Sequence, residues 1–157
     1  MYNLALNYLH STEDAEELTQ DVFVKVHKEM DKFRGESKVK TWIYRITINA
    51  CLDKIKSKQR RQRFNFLRYL SDDFVTFQPA EFNHPGIQLE QKESTERIMK
   101  AIKTLPPNQQ TALILKSIEG QSQKEIAEIM QLNEKAVESL LTRARAKLKG
   151  ILNNYEG

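Results

Sequence analysis

Ala15, Leu18, Val22, Val26 and Met30 recur every three or four residues, the period of one face of an α-helix. Trp42, Ile43, Ile46, Ala50 and Ile55 repeat at three to five residues, and the helical pattern returns from Ile98 to Leu148. No comparable run alternates at a period of two. Glycine and proline, the residues that interrupt helices, number only 5 and 4 in 157. An all-α fold follows. At this length the chain makes one ordinary domain or two small ones, and small domains bury a modest fraction of their surface.

The punctuation between the apolar runs sets the element order. Tyr2 to Leu9 reads as the end of a helix, with Leu4, Ala5 and Tyr8 on one side. Ser11 and Thr12 offer N-caps to the next helix, and Glu13 and Asp14 suit its positive end. That helix is predicted to run to about Phe33, with Gly35 as its stop. Another starts between Lys38 and Thr41, and its apolar stripe has gone by Arg60-Arg61-Gln62-Arg63. Phe64 to Gln91 mixes Phe66, Tyr69, Phe74, Phe77 and Phe82 with Asp72, Asp73, Pro79 and Pro85, without a sustained period. It is read as a flexible linker, one whose aromatics pack on a domain or meet a partner. Two small helical domains, 1–63 and 92–157, flank this linker at 64–91.

In the second domain Pro106-Pro107 opens a helix, since proline is tolerated in a first turn, and Gly120 ends it. Ser122-Gln123-Lys124-Glu125 is a capping box. It opens a short helix with Ile126, Ala127, Ile129 and Met130. Asn133 caps a last helix bearing Val137, Leu141 and Ala144. A short helix, a turn of Gln131 to Asn133 and a second helix make a helix-turn-helix, with the small Ala127 where the helices must approach. In such motifs the second helix enters the major groove of DNA.

Charge is distributed unevenly around a net value of +4. Lys38 to Arg68 holds ten Lys or Arg and one acidic residue, Asp53. From His10 to Ser37 acids outnumber bases two to one. Local basic density attracts phosphates more than total charge does. The lone Cys51 lies on an apolar face, which points to a buried, inert thiol and excludes a disulfide within the chain. No apolar run approaches the roughly 20 residues that span a bilayer, and no signal peptide is recognisable. A cytoplasmic protein without membrane insertion is expected. Asp14, Glu17 and Asp21 share one helix face, but no His, Gly-rich phosphate loop or facing carboxylate joins them. Neither an enzyme nor a cofactor is expected.

Three blocks remain in order: Glu17-Leu18-Thr19-Gln20-Asp21-Val22-Phe23; Asp31-Lys32-Phe33-Arg34-Gly35-Glu36-Ser37; and Thr41-Trp42-Ile43-Tyr44-Arg45-Ile46 with Asn49 and Asp53. This order closely resembles the second conserved region of the extracytoplasmic-function group of sigma-70 family sigma factors. Leu105-Pro106-Pro107 and Glu125-Ile126-Ala127 resemble their fourth region. The resemblance covers residues 1 to 63 and 92 to 152. It implies a subunit that binds core RNA polymerase, directs promoter recognition and promotes DNA melting. An anti-sigma factor is a further expected partner.

The resemblance also implies residue roles. Glu17, Gln20 and Asp21 would dock on core polymerase, and their acidic and amide groups suit a basic helix. Phe33, Arg34, Gly35, Ser37, Trp42, Tyr44, Arg45, Asn49, Asp53, Lys56 and Arg60 would meet the −10 element, with Asn49 and the turn backbone reading an unstacked base. Trp42 serves equally as core or as a wedge. Lys54, Lys56, Lys58, Arg60, Arg61 and Arg63 would contact phosphates. Lys124, Lys135, Glu138, Ser139, Thr142, Arg143 and Arg145 would face the −35 element. Glu138 departs from the family, which often has a basic residue there. Near DNA its carboxylate is costly unless it accepts from a cytosine amine. The family's first helix is mostly missing, so the first domain is expected to be N-terminally truncated. The competing reading is a helix-turn-helix regulator that binds duplex DNA without polymerase.

Overall fold

The computed structural model describes residues 1–35, 37–69 and 97–153, with side chains left out for 65–69. The aromatic linker beyond Tyr69 and the turn residue Glu36 lie outside the described residues. The described elements are all helical: α1 Tyr2–Leu9, α2 Thr12–Glu29, a 3-10 turn Met30–Lys32, α3 Val39–Tyr69, α4 at 97–103, α5 Pro107–Ser117, α6 Gln123–Met130 and α7 Glu134–Asn153.

They form two compact units. The first joins Met1–Lys28 to the described part of Ile46–Asn83, and the second joins Glu29–Arg45 to that of His84–Gly157. The continuous helix α3 contributes Val39–Arg45 to the second unit and its remainder to the first.

In the first unit Leu4, Ala5, Leu6 and Tyr8 of α1 are buried, as are Ala15, Leu18, Val22 and Val26 of α2 and Ile46, Ile48 and Cys51 of α3. Each large side chain of this kind contributes about 1.5–3 kcal/mol when removed from water. The α2 start is capped by Ser11, whose hydroxyl accepts from the Asp14 amide at 3.2 Å. Its end departs from the sequence expectation: the α-helix stops at Glu29 and tightens into a 3-10 turn, with the Phe33 amide donating to Met30 O at 3.1 Å. Gly35 follows at φ +72° and redirects the chain into α3. Helix α3 continues to Tyr69, past the loss of its apolar stripe. Gln, Arg and Lys have good helix propensity, so the backbone can stay helical without an apolar face.

The second unit packs α5, α6 and α7 against one another. Ile114 and Leu115 of α5, Ile126 of α6 and Val137 of α7 are each 0% exposed. Both halves of the capping box are formed: Ser122 Oγ accepts from the Glu125 amide at 3.2 Å, and Glu125 Oε2 accepts from the Ser122 amide at 2.8 Å. Asn133 caps α7 by accepting from the Ala136 amide at 2.8 Å. The turn between them closes when the Leu132 amide donates to Ala127 O at 2.9 Å, with Gln131 left-handed at φ 56°. A glycine is the usual residue in such an ending. Exposed Gln131 therefore carries strain, and Gln131→Gly is expected to raise stability by about 1 kcal/mol. Chemical denaturation checks this as a higher midpoint at unchanged slope.

Candidate nucleic-acid interface

In the first unit α2 and α3 are joined by a partly exposed charge cluster. Lys54 Nζ is 2.6 Å from Glu17 Oε2 and 3.4 Å from Asp14 Oδ1, and Lys58 Nζ is 2.9 Å from Asp14 Oδ2. Partial burial raises the Asp14 carboxyl, but Lys58 and Lys54 outweigh it and hold it below its ordinary 3.8. A depressed carboxylate stabilises the fold above its unfolded pKa and loses that contribution as pH falls through the folded value. Asp14→Asn is thus expected to lower stability at pH 7, and its difference from the parent chain to vanish as pH falls below 3.8 and through the depressed folded value. Denaturant midpoints across this pH range test this.

The outward face of α2 carries exposed Glu17, Gln20 and Asp21. Glu17 is shared with Lys54, so the basic block of α3 already partners part of the acidic face. Beside these residues the structure exposes Phe23 at 65% and Val24 at 53%. Sequence reasoning missed both. The signal was there: with Val22 and Val26 turned inward, Phe23 and Val24 fall off the buried stripe.

At the Phe33–Ser37 turn the Phe33 and Trp42 rings pack at 5.2 Å between centroids, tilted by 45°. Both are half-buried, while Arg34 and Gly35 are exposed and Ser37 is intermediate. Trp42 therefore braces the turn from α3. Tyr44 and Arg45, half-buried one turn on, are bonded within the second unit, to Glu119 and to the carbonyl of Glu128. Asn49, Asp53, Lys56 and Arg60 are exposed along the rest of α3, as are Arg61 and Arg63, with Lys58 in the cluster above. The thiol of buried Cys51 is pushed up to about 12 by burial, which keeps it protonated and unreactive.

On α7 the inward residues are Val137, Leu141 and Ala144. Lys135, Glu138, Ser139, Thr142, Arg143 and Arg145 are exposed, as is Lys124 on α6. Lys135, Glu138, Ser139 and Thr142 follow at spacings of three and four, which places them on one face. Arg143 folds back on its own helix, donating to Ser139 O at 3.2 Å and Ser139 Oγ at 3.1 Å. The face is amphoteric, with Glu138 among the cations and hydroxyls. Among the described residues no group of His, Cys, Asp and Glu could hold a metal ion, and no helix is long and apolar enough to cross a membrane.

Comparison with known proteins agrees with both halves. Residues 1–61 match the sigma-70 region 2 model and residues 95–148 the sigma-70, region 4 model. Over 152 residues the chain is 33% identical to the RNA polymerase sigma-H factor of Pseudomonas aeruginosa, spanning 90% of this chain and 75% of that one. The chain belongs to the sigma-70 family. It is a sigma factor of the extracytoplasmic-function group, as are the 28% identical sigma-E factor of Escherichia coli K12, matched over 84% of this chain and 70% of that one, and others. RNA polymerase sigma factor YlaC of Bacillus subtilis is 30% identical over 94% of this chain and 85% of the relative. Two solved structures share the fold of this sigma factor. CnrH in complex with the cytosolic domain of CnrY has a TM-score of 0.68 at 22% identity, over 98% of this chain and 80% of that one. RpoE with the anti-sigma factor NepR from Bartonella quintana has 0.63 at 24%, over 97% and 89%. A region 2 match across the first 61 residues disfavours a plain helix-turn-helix regulator, which has no use for that region.

Proposed function

We propose that this sigma factor docks on core RNA polymerase through the α2 face of Glu17, Gln20 and Asp21, widened by Phe23 and Val24. An acidic rim around exposed apolar side chains suits a basic, amphipathic helix. The −10 element then runs along α3. Asn49 reads a base edge, the Phe33–Ser37 turn shapes the pocket, and Lys56 and Arg60 hold phosphates. The exposed face of α7 meets the −35 element in the major groove, and Glu138 accepts from a cytosine amine there. The sigma factor performs no catalytic step of its own and works in the cytoplasm. A relative by fold, RpoE, is solved with an anti-sigma factor, which supports a third partner of that kind.

The observation that carries this reading is the exposed line of Asn49, Lys56 and Arg60 on a helix whose opposite side is buried at Ile48 and Cys51. Base-reading and phosphate-holding residues differ in a measurable way. With core polymerase present, Asn49→Ala should relax discrimination among −10 sequences at a cost of about 1–3 kcal/mol on the preferred one. Lys56→Ala should weaken all promoters alike and lower the salt slope by about one. Equal, sequence-independent losses in both variants would remove Asn49 from base reading.

A further inference from the structure

Helix α3 does not end where its buried stripe does. All residues from Gln59 to Phe64 are exposed, so for more than one full turn no side of the helix packs against the described residues of the first unit. The segment is an arm that leaves the packing of Ile46, Ile48 and Cys51 behind. Between Lys54 and Phe64 the sequence places six Lys or Arg and no acid. Lys54 and Lys58 are held by Asp14 and Glu17 of α2. Among the described residues Lys56, Arg60, Arg61 and Arg63 meet no carboxylate. The one apolar side chain of the arm is Phe64. At 67% it is the most exposed large apolar residue described.

The register of this ring is that of the DNA-facing stripe. Asn49, Asp53, Lys56, Arg60 and Phe64 follow at spacings of three and four, which keeps all of them on one side of a straight helix. Arg63 flanks the same side. Phe64 lies about 22 Å beyond Asn49 along the axis, at 1.5 Å per residue. Successive bases of a duplex strand are 3.4 Å apart, so the two side chains stand about six base-pair steps from one another. The base-extracting turn precedes α3, so unpairing begins at the N-terminal end of the helix. DNA that meets the C-terminal arm is still paired. Its major groove admits an α-helix, and the apolar group it shows there is the C5-methyl of thymine.

We propose that the arm makes a second base-reading contact: Phe64 packs on a thymine methyl in the duplex, about six base pairs beyond the base read by Asn49, between phosphates held by Arg60 and Arg63. The contact rests on the reading of α3 as the helix that follows the −10 element. A lone ring among cations suits a polyanion that shows an apolar group, and duplex DNA is such a ligand. The arginines supply affinity without choice of sequence, and the ring supplies the choice. Burial of one methyl group gives thymine about a fourfold preference over the other bases at that position.

The test uses the whole chain with core polymerase at fixed salt, and a promoter library randomised over the roughly ten base pairs that adjoin the −10 element on its duplex side. DNA held by the complex is sequenced. The parent chain is expected to enrich thymine about fourfold at one position in this window. Phe64→Ala should lose that enrichment and keep its choice of −10 and −35 elements. Alanine has the best helix propensity, so the variant keeps its arm, and circular dichroism checks this. Deoxyuridine in place of the enriched thymine removes the methyl group alone and needs no change in the protein. It should weaken binding of the parent about fourfold and leave that of Phe64→Ala unchanged. A parent that enriches no thymine in the window, or a deoxyuridine penalty as large in Phe64→Ala as in the parent, overturns the contact. Asn49→Ala on the same library separates the two layers. If it relaxes the −10 choice while the parent shows no thymine, α3 follows the −10 element and Phe64 reads nothing. If it leaves the −10 choice intact while Phe64→Ala still loses thymine, Asn49 is removed from base reading and the Phe64 contact stands.

Discussion

Glu17→Lys combined with Asp21→Lys is expected to weaken the sigma factor's binding to core RNA polymerase about a hundredfold. Both side chains are exposed on α2, so their replacement leaves the buried stripe of Leu18, Val22 and Val26 untouched. Reversal replaces attraction to a basic partner by repulsion, and like-charge juxtaposition at an interface costs several kcal/mol. The fold should survive. Glu17 is 69% exposed where it meets Lys54, and exposed pairs contribute little to stability. Two measurements together check this: titration of labelled chain with core polymerase, and a thermal melt. A fall in affinity with an unchanged melt is the expected pattern. Unchanged affinity in a folded variant would move the docking surface elsewhere.

Ile126→Ala should have the largest effect on stability. Ile126 is 0% exposed on α6, within the group of α5, α6 and α7. Truncating such a side chain removes transfer energy and leaves a cavity, at about 2–5 kcal/mol. A small helical unit has little margin against that loss. The midpoint of its melt should fall by roughly 10 °C or more, and selection among −35 sequences should disappear. Ile98, 41% exposed, supplies the comparison: Ile98→Ala should shift the same melt by only a small fraction of that.

These two variants probe features that differ in how far the sequence discloses them. The helix-turn-helix was legible because its signals are local. Ser122 with Glu125 and Asn133 with Ala136 are capping pairs three residues apart, and the structure makes every bond they imply. The buried stripe of α2 was legible for the same reason. The turn at Gln131 was placed by the capping residues around it. Its left-handed backbone was not foreseen, since glycine is the residue that announces such a conformation and none is present. The end of α3 escaped because the apolar period stops near Arg60 while helix propensity does not.

The candidate site divides along the same line. That Asn49, Lys56 and Arg60 are exposed follows from their places between buried neighbours on α3. The partners of Tyr44 and Arg45 could not be read. Glu119 is 75 residues from Tyr44, and Glu128 is 83 from Arg45. No periodicity reports a bond across such a distance, and one acceptor is a backbone carbonyl with no side-chain signature. The charge cluster of Asp14, Glu17, Lys54 and Lys58 is a similar case. Each member has the sign expected for a partner outside the chain, yet they first satisfy one another.

If two helical units direct a polymerase to promoters, transcription from a promoter library with purified core RNA polymerase must change when the chain is added. Transcripts are expected from a small set of promoters sharing a −10 and a −35 element, seen only when both proteins are present. A chain that bound duplex promoter DNA alone and left the transcripts of the core enzyme unchanged would contradict this.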